Sequence, residues 1–266
     1  MTGAITFVGA GPGAADLVTL RGIRAIEAAD VVIWAASLVH PDVLAFARAG
    51  AEIVDSASLT LEDTVTLYRR AARDGLAVAR LHSGDPALWG AMQEQIEAGT
   101  ALGLRIEVIP GVSTFCAAAA AVQRELTVPR VAQSVILTRL EGGKTPMPDG
   151  ESIAEFARHG TTMAVFLSAA RAGQLAGQLS VGGYPPDTPV VIAYAVTWPD
   201  ELILWCDVAT LAETVKRQRL WKQTLFLIGP ALAASGTRSH LYHPGHFHGH
   251  RRADPLARAE LRAHDG

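Results

Sequence analysis

Short apolar runs alternate with longer stretches of helical periodicity through most of the chain. Residues 4–8 form an apolar run that ends in a glycine loop. Residues 17–29 follow with apolar side chains at Leu20, Ile23 and Ile26, and Thr19 stands where a helix N-cap belongs. Buried strands are expected at 31–34, 51–54, 76–81 and 104–109. Thr60, with Asp63 as its reciprocal partner, gives a capping box, and Leu61, Val65, Tyr68 and Ala72 are placed on one face of the helix it opens. Further helices are expected at 88–102 and, alanine-rich, at 113–122. Apolar strands separated in this way imply a parallel sheet covered on both faces.

The character changes over residues 122–133. Strands are then expected at 134–138, 162–167, 190–195, 202–205 and 224–228, with helices at 151–158, 169–179 and 209–218. The strands at 190–195 and 202–205 are joined by a short turn containing Pro199 and read as a hairpin, which makes this second sheet mixed. The expected organisation is therefore an α/β domain over 1–121, a second α/β domain over 122–234, and a His- and Arg-rich tail over 235–266 that is loosely ordered in part.

A length of 266 residues accommodates two modest α/β domains, and a hydrophobic share of 49% supplies packed cores for both. A net charge of −3 gives no general attraction for nucleic acid, so an anionic ligand has to be held by a local basic cluster. Cys116 and Cys206 sit in apolar stretches without a CxxC or metal-ligand spacing and are expected to be small buried residues in a reducing compartment. No apolar run approaches the ~20 residues of a membrane span. No basic segment precedes an apolar one at the amino end, so a cytoplasmic location without membrane attachment is expected.

Candidate chemistry begins with the loop Gly9-Ala10-Gly11-Pro12-Gly13-Ala14, which fits the loose dinucleotide pattern. Two features oppose a nicotinamide cofactor. Pro12 has no N–H to offer a pyrophosphate, and the second strand ends Trp34-Ala35-Ala36 with no acid, Asp30 being at its beginning. Ser83-Gly84-Asp85-Pro86 also closes a strand and reads either as an ordinary turn or as a ligand loop. The loops at 9–13, 83–90 and 110–114 fall at one edge of one sheet, where open α/β sheets bind ligands. Their glycines let backbone approach a ligand closely.

Taken in order, VGAGPGAADLVTLRG (8–22), ADVVIWAASLV (29–39), HSGDPALWG (82–90), IPGVST (109–114), EGGKTPMP (141–148) and AYAVTWPDE (193–201) resemble the tetrapyrrole (corrin/porphyrin) methylase family. The resemblance runs from Ile5 to about Tyr242. It implies two α/β domains with S-adenosylmethionine in the cleft between them, usually in a homodimer. Matched motif by motif, the implied cofactor contacts are Pro12, Ser83, Gly84, Asp85, Leu88, Ser113, Thr114, Leu167, Ala195, Val196 and Thr197, the last three within about one residue. Asp85 either hydrogen-bonds the cofactor or shapes its own turn. Within the family, SLV, KTPMP and TWPDE resemble the corrin branch that methylates C11 of precorrin-4, metal-free or with cobalt. Some uroporphyrinogen methylases carry an acid before the LV of the second-strand loop. Ala36-Ser37-Leu38-Val39 has none, which argues against that substrate and leaves no general base identified.

The implied reaction is an in-line attack by a ring carbon on a sulfonium methyl, which needs neither metal nor covalent nucleophile. Alignment of the two reactants can supply up to ~7–11 kcal/mol of the acceleration, and exclusion of water protects a labile substrate. Acetate and propionate side chains call for arginine and lysine. The candidates on the substrate side are Gly11, Ser37, His40, Arg130, Arg139 and Lys144, with solvated surface charge as the competing reading of the cations. Ser37 alternatively caps the following helix. Trp89 and Trp198 either line the macrocycle trough or pack in the core. His240, His243, His246, His248 and His250 have no Glu or Cys partner, and no functional metal site is expected. His82 is expected to be a strand-end residue rather than a catalyst.

Overall fold

The computed structural model describes residues 3–142, 145–235 and 239–258. Two five-stranded sheets, each sandwiched between helices, build the molecule. The first contains β1 (Ala4–Gly9), β2 (Val31–Trp34), β3 (Glu52–Asp55), β4 (Ala77–His82) and β5 (Arg105–Ile109) in the order β3-β2-β4-β1-β5, all parallel. One face packs Val8, Val32 and Leu81 against Ile26 of α1 (Leu20–Ala28) and Val43. The other packs Phe7, Ile33 and Val78 against Tyr68 and Ala71 of α2 (Leu61–Asp74), with Met92 and Ile96 of α3 (Met92–Ala101) alongside.

The second sheet contains β6 (Val135–Arg139), β7 (Thr162–Phe166), β8 (Pro189–Tyr194), β9 (Leu202–Asp207) and β10 (Thr224–Ile228) in the order β6-β7-β10-β8-β9. β6 and β7 are parallel, and β10 runs antiparallel to both β7 and β8. The carboxyl ends of β6, β7 and β8 therefore share one edge. The expected hairpin is β8–β9, antiparallel from Pro189–Asp207 to Tyr194–Leu202. Alternation along β8 sends Val190 and Ile192 toward α5 (Ile153–Ala157), α6 (Ala172–Val181) and α7 (Leu211–Gln218), and Val191 and Ala193 to the opposite face. On that opposite face lies α4 (Thr114–Ala121), whose Ala117 and Ala118 pack with Leu225 and Leu227. By packing, α4 covers the second sheet although it precedes residue 122.

Local signals explain the element starts. The Thr19 hydroxyl accepts from the Gly22 N–H at 3.1 Å. Thr60 and Asp63 close the capping box, and Gly75, at φ 70°, ends α2 in the left-handed region. Several expectations need correction. Residues 17–29 are not one helix: a 3-10 turn (Ala15–Leu17) precedes α1. The helix expected from residue 88 starts at Met92, because the Asp85 turn runs through Trp89 and Ala91 at φ 53° and 46°. The buried stripe of α2 is Thr64, Tyr68 and Ala71, one step around from the expected face. β3 and β5 are edge strands rather than buried ones, with Ile53 42% and Val108 41% exposed. Cys116 is exposed and Cys206 half-buried. In an all-apolar helix such as α4 the pattern does not say which face turns inward, and Ala117 and Ala118 take it.

In the tail, the Arg251 guanidinium donates to the carbonyls of Leu241 at 2.7 Å and His243 at 2.9 Å. Among the described residues no helix is long and apolar enough to cross a membrane, and no group of three or more His, Cys, Asp or Glu side chains could hold a metal.

Candidate active site

The three loops at the carboxyl edge of the first sheet touch through bare backbone. Gly11 and Gly84 form an antiparallel bridge, with the Gly84 N–H donating to the Gly11 carbonyl at 2.7 Å. A Cβ on Gly9 would collide with the backbone of Gly111, and one on Gly111 with the carbonyl oxygen of Gly84. Gly11 and Gly84, at φ 76° and 64°, stand where L side chains are strained. Asp85 locks this glycine knot: one carboxylate oxygen accepts from the Ala87 N–H at 2.8 Å, the other from the Gly111 N–H at 2.9 Å. Asp85 thus shapes its own turn and also ties it to the loop after β5. Ser113 and Thr114 follow, their backbone 3.6 and 3.8 Å from where a Cβ on Gly84 would sit. Ser113 is buried and occupies the N-cap of α4 without using its side chain as a cap, so the amino end of that helix faces this corner unsealed.

Across the cleft stand the tips of β7 and β8. Leu167, following β7, is 69% exposed at φ 51°, and Ala195 and Thr197, following β8, lie at φ 45° and 68°. With Trp89 and Ala91 opposite, five non-glycine residues are held in the left-handed region around this cleft. Such strain persists where surrounding structure enforces it, and it gathers at ligand sites. Trp89 packs on Phe166, ring centroids 4.8 Å apart, and so joins the SGDP turn to the end of β7.

The two sheets are also bolted together beside the first loop. The Trp198 indole N–H donates to the Pro12 carbonyl at 3.0 Å, and the Ala14 N–H donates to the Thr197 hydroxyl at 2.9 Å. A Cβ on Gly13 would run into the Trp198 ring, which makes the glycine a requirement of this docking. Glu201 accepts from the Thr197 N–H at 2.7 Å and holds the left-handed turn. The His40 ring meets Trp198 edge-on at 4.8 Å, and the Gln223 side-chain amide donates to the Ser37 carbonyl at 3.2 Å. Trp198 is therefore an inter-sheet bolt, a third role beside the two anticipated.

The implied cofactor positions Pro12, Gly84, Asp85, Ser113 and Thr114 gather at the glycine knot, with Ser83 and Leu88 on the same turn. Leu167 and Thr197 face them from the second sheet. Ala195 and Val196 are buried, 3% and 2% exposed, so little of either is open to a ligand. Of the substrate candidates, Gly11 is in the knot, and Ser37 and His40 are in the loop after β2. His40, not Ser37, caps the turn Pro41–Phe46: its Nδ1 accepts from the Asp42 N–H at 3.3 Å, because the bend at 35–38 ends before the helical turn begins. Arg139 sits at the end of β6. Arg130 is exposed in the connection between the sheets at φ 66° and makes no side-chain hydrogen bond or ion pair among the described residues. Lys144 lies outside the described residues. His82 is buried, as a strand-end residue would be. Its imidazole is pushed down to about 4 by burial and by nearby Arg80, and its Nε2 has no partner among the described residues. The motifs pick out the loops of Gly9, Gly13 and Gly111 but not the partners that require those glycines, which are distant in sequence, and Arg171 falls in no motif.

Two five-stranded α/β sheets meet here, with glycine loops at the strand ends of the first and the turn of the β8–β9 hairpin docked on its first loop, an arrangement shared by a known class of methylases. The chain belongs to the tetrapyrrole (corrin/porphyrin) methylases, whose profile matches residues 4–212. It is 42% identical over 228 residues to a cobalt-precorrin-4 C(11)-methyltransferase of Methanocaldococcus jannaschii, covering 86% of this chain and 88% of that protein. It is 44% identical over 239 residues to a precorrin-4 C(11)-methyltransferase of Mycobacterium tuberculosis, covering 90% and 95%. Its fold matches the X-ray structure of a cobalt precorrin-4 methyltransferase with a TM-score of 0.83 at 41% identity, over 86% of this chain and 95% of the other. A uroporphyrin-III C-methyl transferase from Thermus thermophilus, complexed with S-adenyl homocysteine, matches with a TM-score of 0.74 at 28% identity, over 87% and 99%.

Proposed function

We propose that this chain transfers the methyl group of S-adenosylmethionine to C11 of precorrin-4, on the route to cobalamin. The observation that carries this reading is identity above 40% across nearly the whole chain with proteins named for that reaction. The cofactor, when bound, supplies a methyl group made electrophilic by its sulfonium. The residues around the cleft fit such a group. The glycine knot offers backbone without side chains, Leu167 offers an exposed apolar side chain for a flat ring, and the unsealed amino end of α4 suits a carboxylate. The hydrogen bonds of Asp85, Thr197 and Trp198 hold these elements rigid, which favours alignment of the reactants and exclusion of water. The relatives carry the names of both metal-free and cobalt forms of the substrate, so the cobalt form is the second reading. Incubation with methyl-labelled cofactor and each form in turn, with mass spectrometry and NMR of the product, tests both. Label at any carbon other than C11 overturns the assignment. A homodimer in the cytoplasm accompanies the reading by family resemblance, and sedimentation equilibrium checks the dimer.

A further inference from the structure

Two guanidinium groups converge where β6 and β7 end. Arg139 Nη1 donates to the carbonyls of Leu140 at 3.3 Å and Thr145 at 3.2 Å. Arg171 Nη2 donates to the same Leu140 carbonyl at 3.4 Å. Both side chains are half-buried, and neither forms an ion pair with any described residue. The neighbouring acid, Glu141, is engaged by the Gln174 amide at 3.2 Å. Two cations brought to one neutral oxygen repel each other, and their remaining N–H donors have no acceptor among the described residues. A guanidinium fork matches a carboxylate in two parallel hydrogen bonds, so an incoming carboxylate would offset the repulsion between the two cations and take up donors otherwise left to water.

The place is specific. The Ser168 hydroxyl accepts from the Leu140 N–H at 2.8 Å and donates to the Phe166 carbonyl at 2.6 Å, so the end of β6 is stitched to the end of β7. Phe166 is the residue on which Trp89 of the first sheet packs, and exposed Leu167 follows it. The arginine pair thus flanks the mouth of the cleft rather than an outer face. We propose that Arg139 and Arg171 form a clamp for one peripheral carboxylate of the tetrapyrrole. The proposal rests on the methyltransferase reading of the cleft and adds Arg171 as a substrate-binding residue.

Quenching of tryptophan fluorescence by uroporphyrin, a stable polycarboxylate, and by its fully esterified form tests the clamp, with S-adenosylhomocysteine titrated in parallel. Arg139→Gln and Arg171→Gln are each expected to weaken uroporphyrin binding roughly tenfold. The affinities for the ester and for S-adenosylhomocysteine are expected to stay as in the wild type. R171Q keeps the Arg139 tether of the 141–145 loop, so it decides the matter if R139Q loosens that loop. Wild-type affinity for uroporphyrin in R171Q overturns the clamp while leaving the methyltransferase reading intact. Failure of the unmodified protein to bind S-adenosylhomocysteine overturns the reading beneath it.

Discussion

The indole N–H of Trp198 donates to the carbonyl of Pro12 at 3.0 Å, so the first loop of one sheet is fastened to the hairpin of the other. The glycine-rich loop had argued against a dinucleotide because Pro12 lacks an N–H. What the loop contributes instead is a carbonyl and, at Gly13, room for an indole. Trp198→Phe keeps an aromatic ring against His40 and removes the donor together with the five-membered ring that lies against Gly13. An unpaired part-buried carbonyl costs ~1–3 kcal/mol. The expected result is a fall of about 1 kcal/mol in urea stability and a several-fold loss of S-adenosylhomocysteine affinity by calorimetry. Wild-type affinity in this variant would mean that the bolt does not set the cleft.

Asp85 spends both oxygens on backbone donors of two different loops. Asp85→Asn leaves one acceptor oxygen for two N–H groups, so either Ala87 or Gly111 loses its partner. The expected cost is ~1–3 kcal/mol in denaturant unfolding. Cofactor affinity is expected to fall with it, since the Gly111 peptide lies within the knot. A variant of unchanged stability but abolished affinity would assign Asp85 directly to the ligand.

The strands were legible because buried parallel strands are written as apolar runs between breakers, and the capping signatures at Thr19 and Thr60 worked because they are local chemistry. The start of α3 was not legible, because a Leu-Trp-Gly-Ala-Met stretch has helical periodicity while the tertiary lock on Asp85 forces Trp89 and Ala91 out of it. The loops of the site were found by their glycines, but the reason for Gly9 and Gly111 is an approach between segments a hundred residues apart, which no local pattern encodes. Trp198 and Arg171 were ambiguous or invisible for the same reason: their partners, Pro12 and Leu140, are remote in sequence.

Leu167 gives a case in which fold and ligand affinity are expected to separate. A leucine at φ 51° bears a left-handed strain of ~1–2 kcal/mol, and its side chain is 69% exposed, so it contributes little to the core. Leu167→Gly removes the strain, at some cost in unfolded-state entropy, and its thermal stability is expected to match or exceed that of the wild type. Loss of an apolar cover worth ~1.5–3 kcal/mol weakens S-adenosylhomocysteine binding by about tenfold or more. Reduced stability with unaltered affinity would place Leu167 outside the binding surface.

His82 links the turn to acid stability. Burial, reinforced by nearby Arg80, pushes its imidazole from 6.5 down to about 4, so the folded protein holds it neutral. The unfolded chain takes up the proton near 6.5. As pH falls from there toward 4, the unfolded state therefore binds more protons and stability drops; below about 4 both states are protonated and the loss levels off. The full difference corresponds to about 3 kcal/mol. His82→Gln is neutral throughout, so its unfolding midpoint in urea is expected to change less between pH 7 and pH 4.5 than that of the wild type. Other acid-sensitive groups act equally on both proteins, which makes the difference between the two slopes the diagnostic quantity. Parallel slopes would mean that the wild-type imidazole already accepts a proton in the folded state, from water reaching its Nε2.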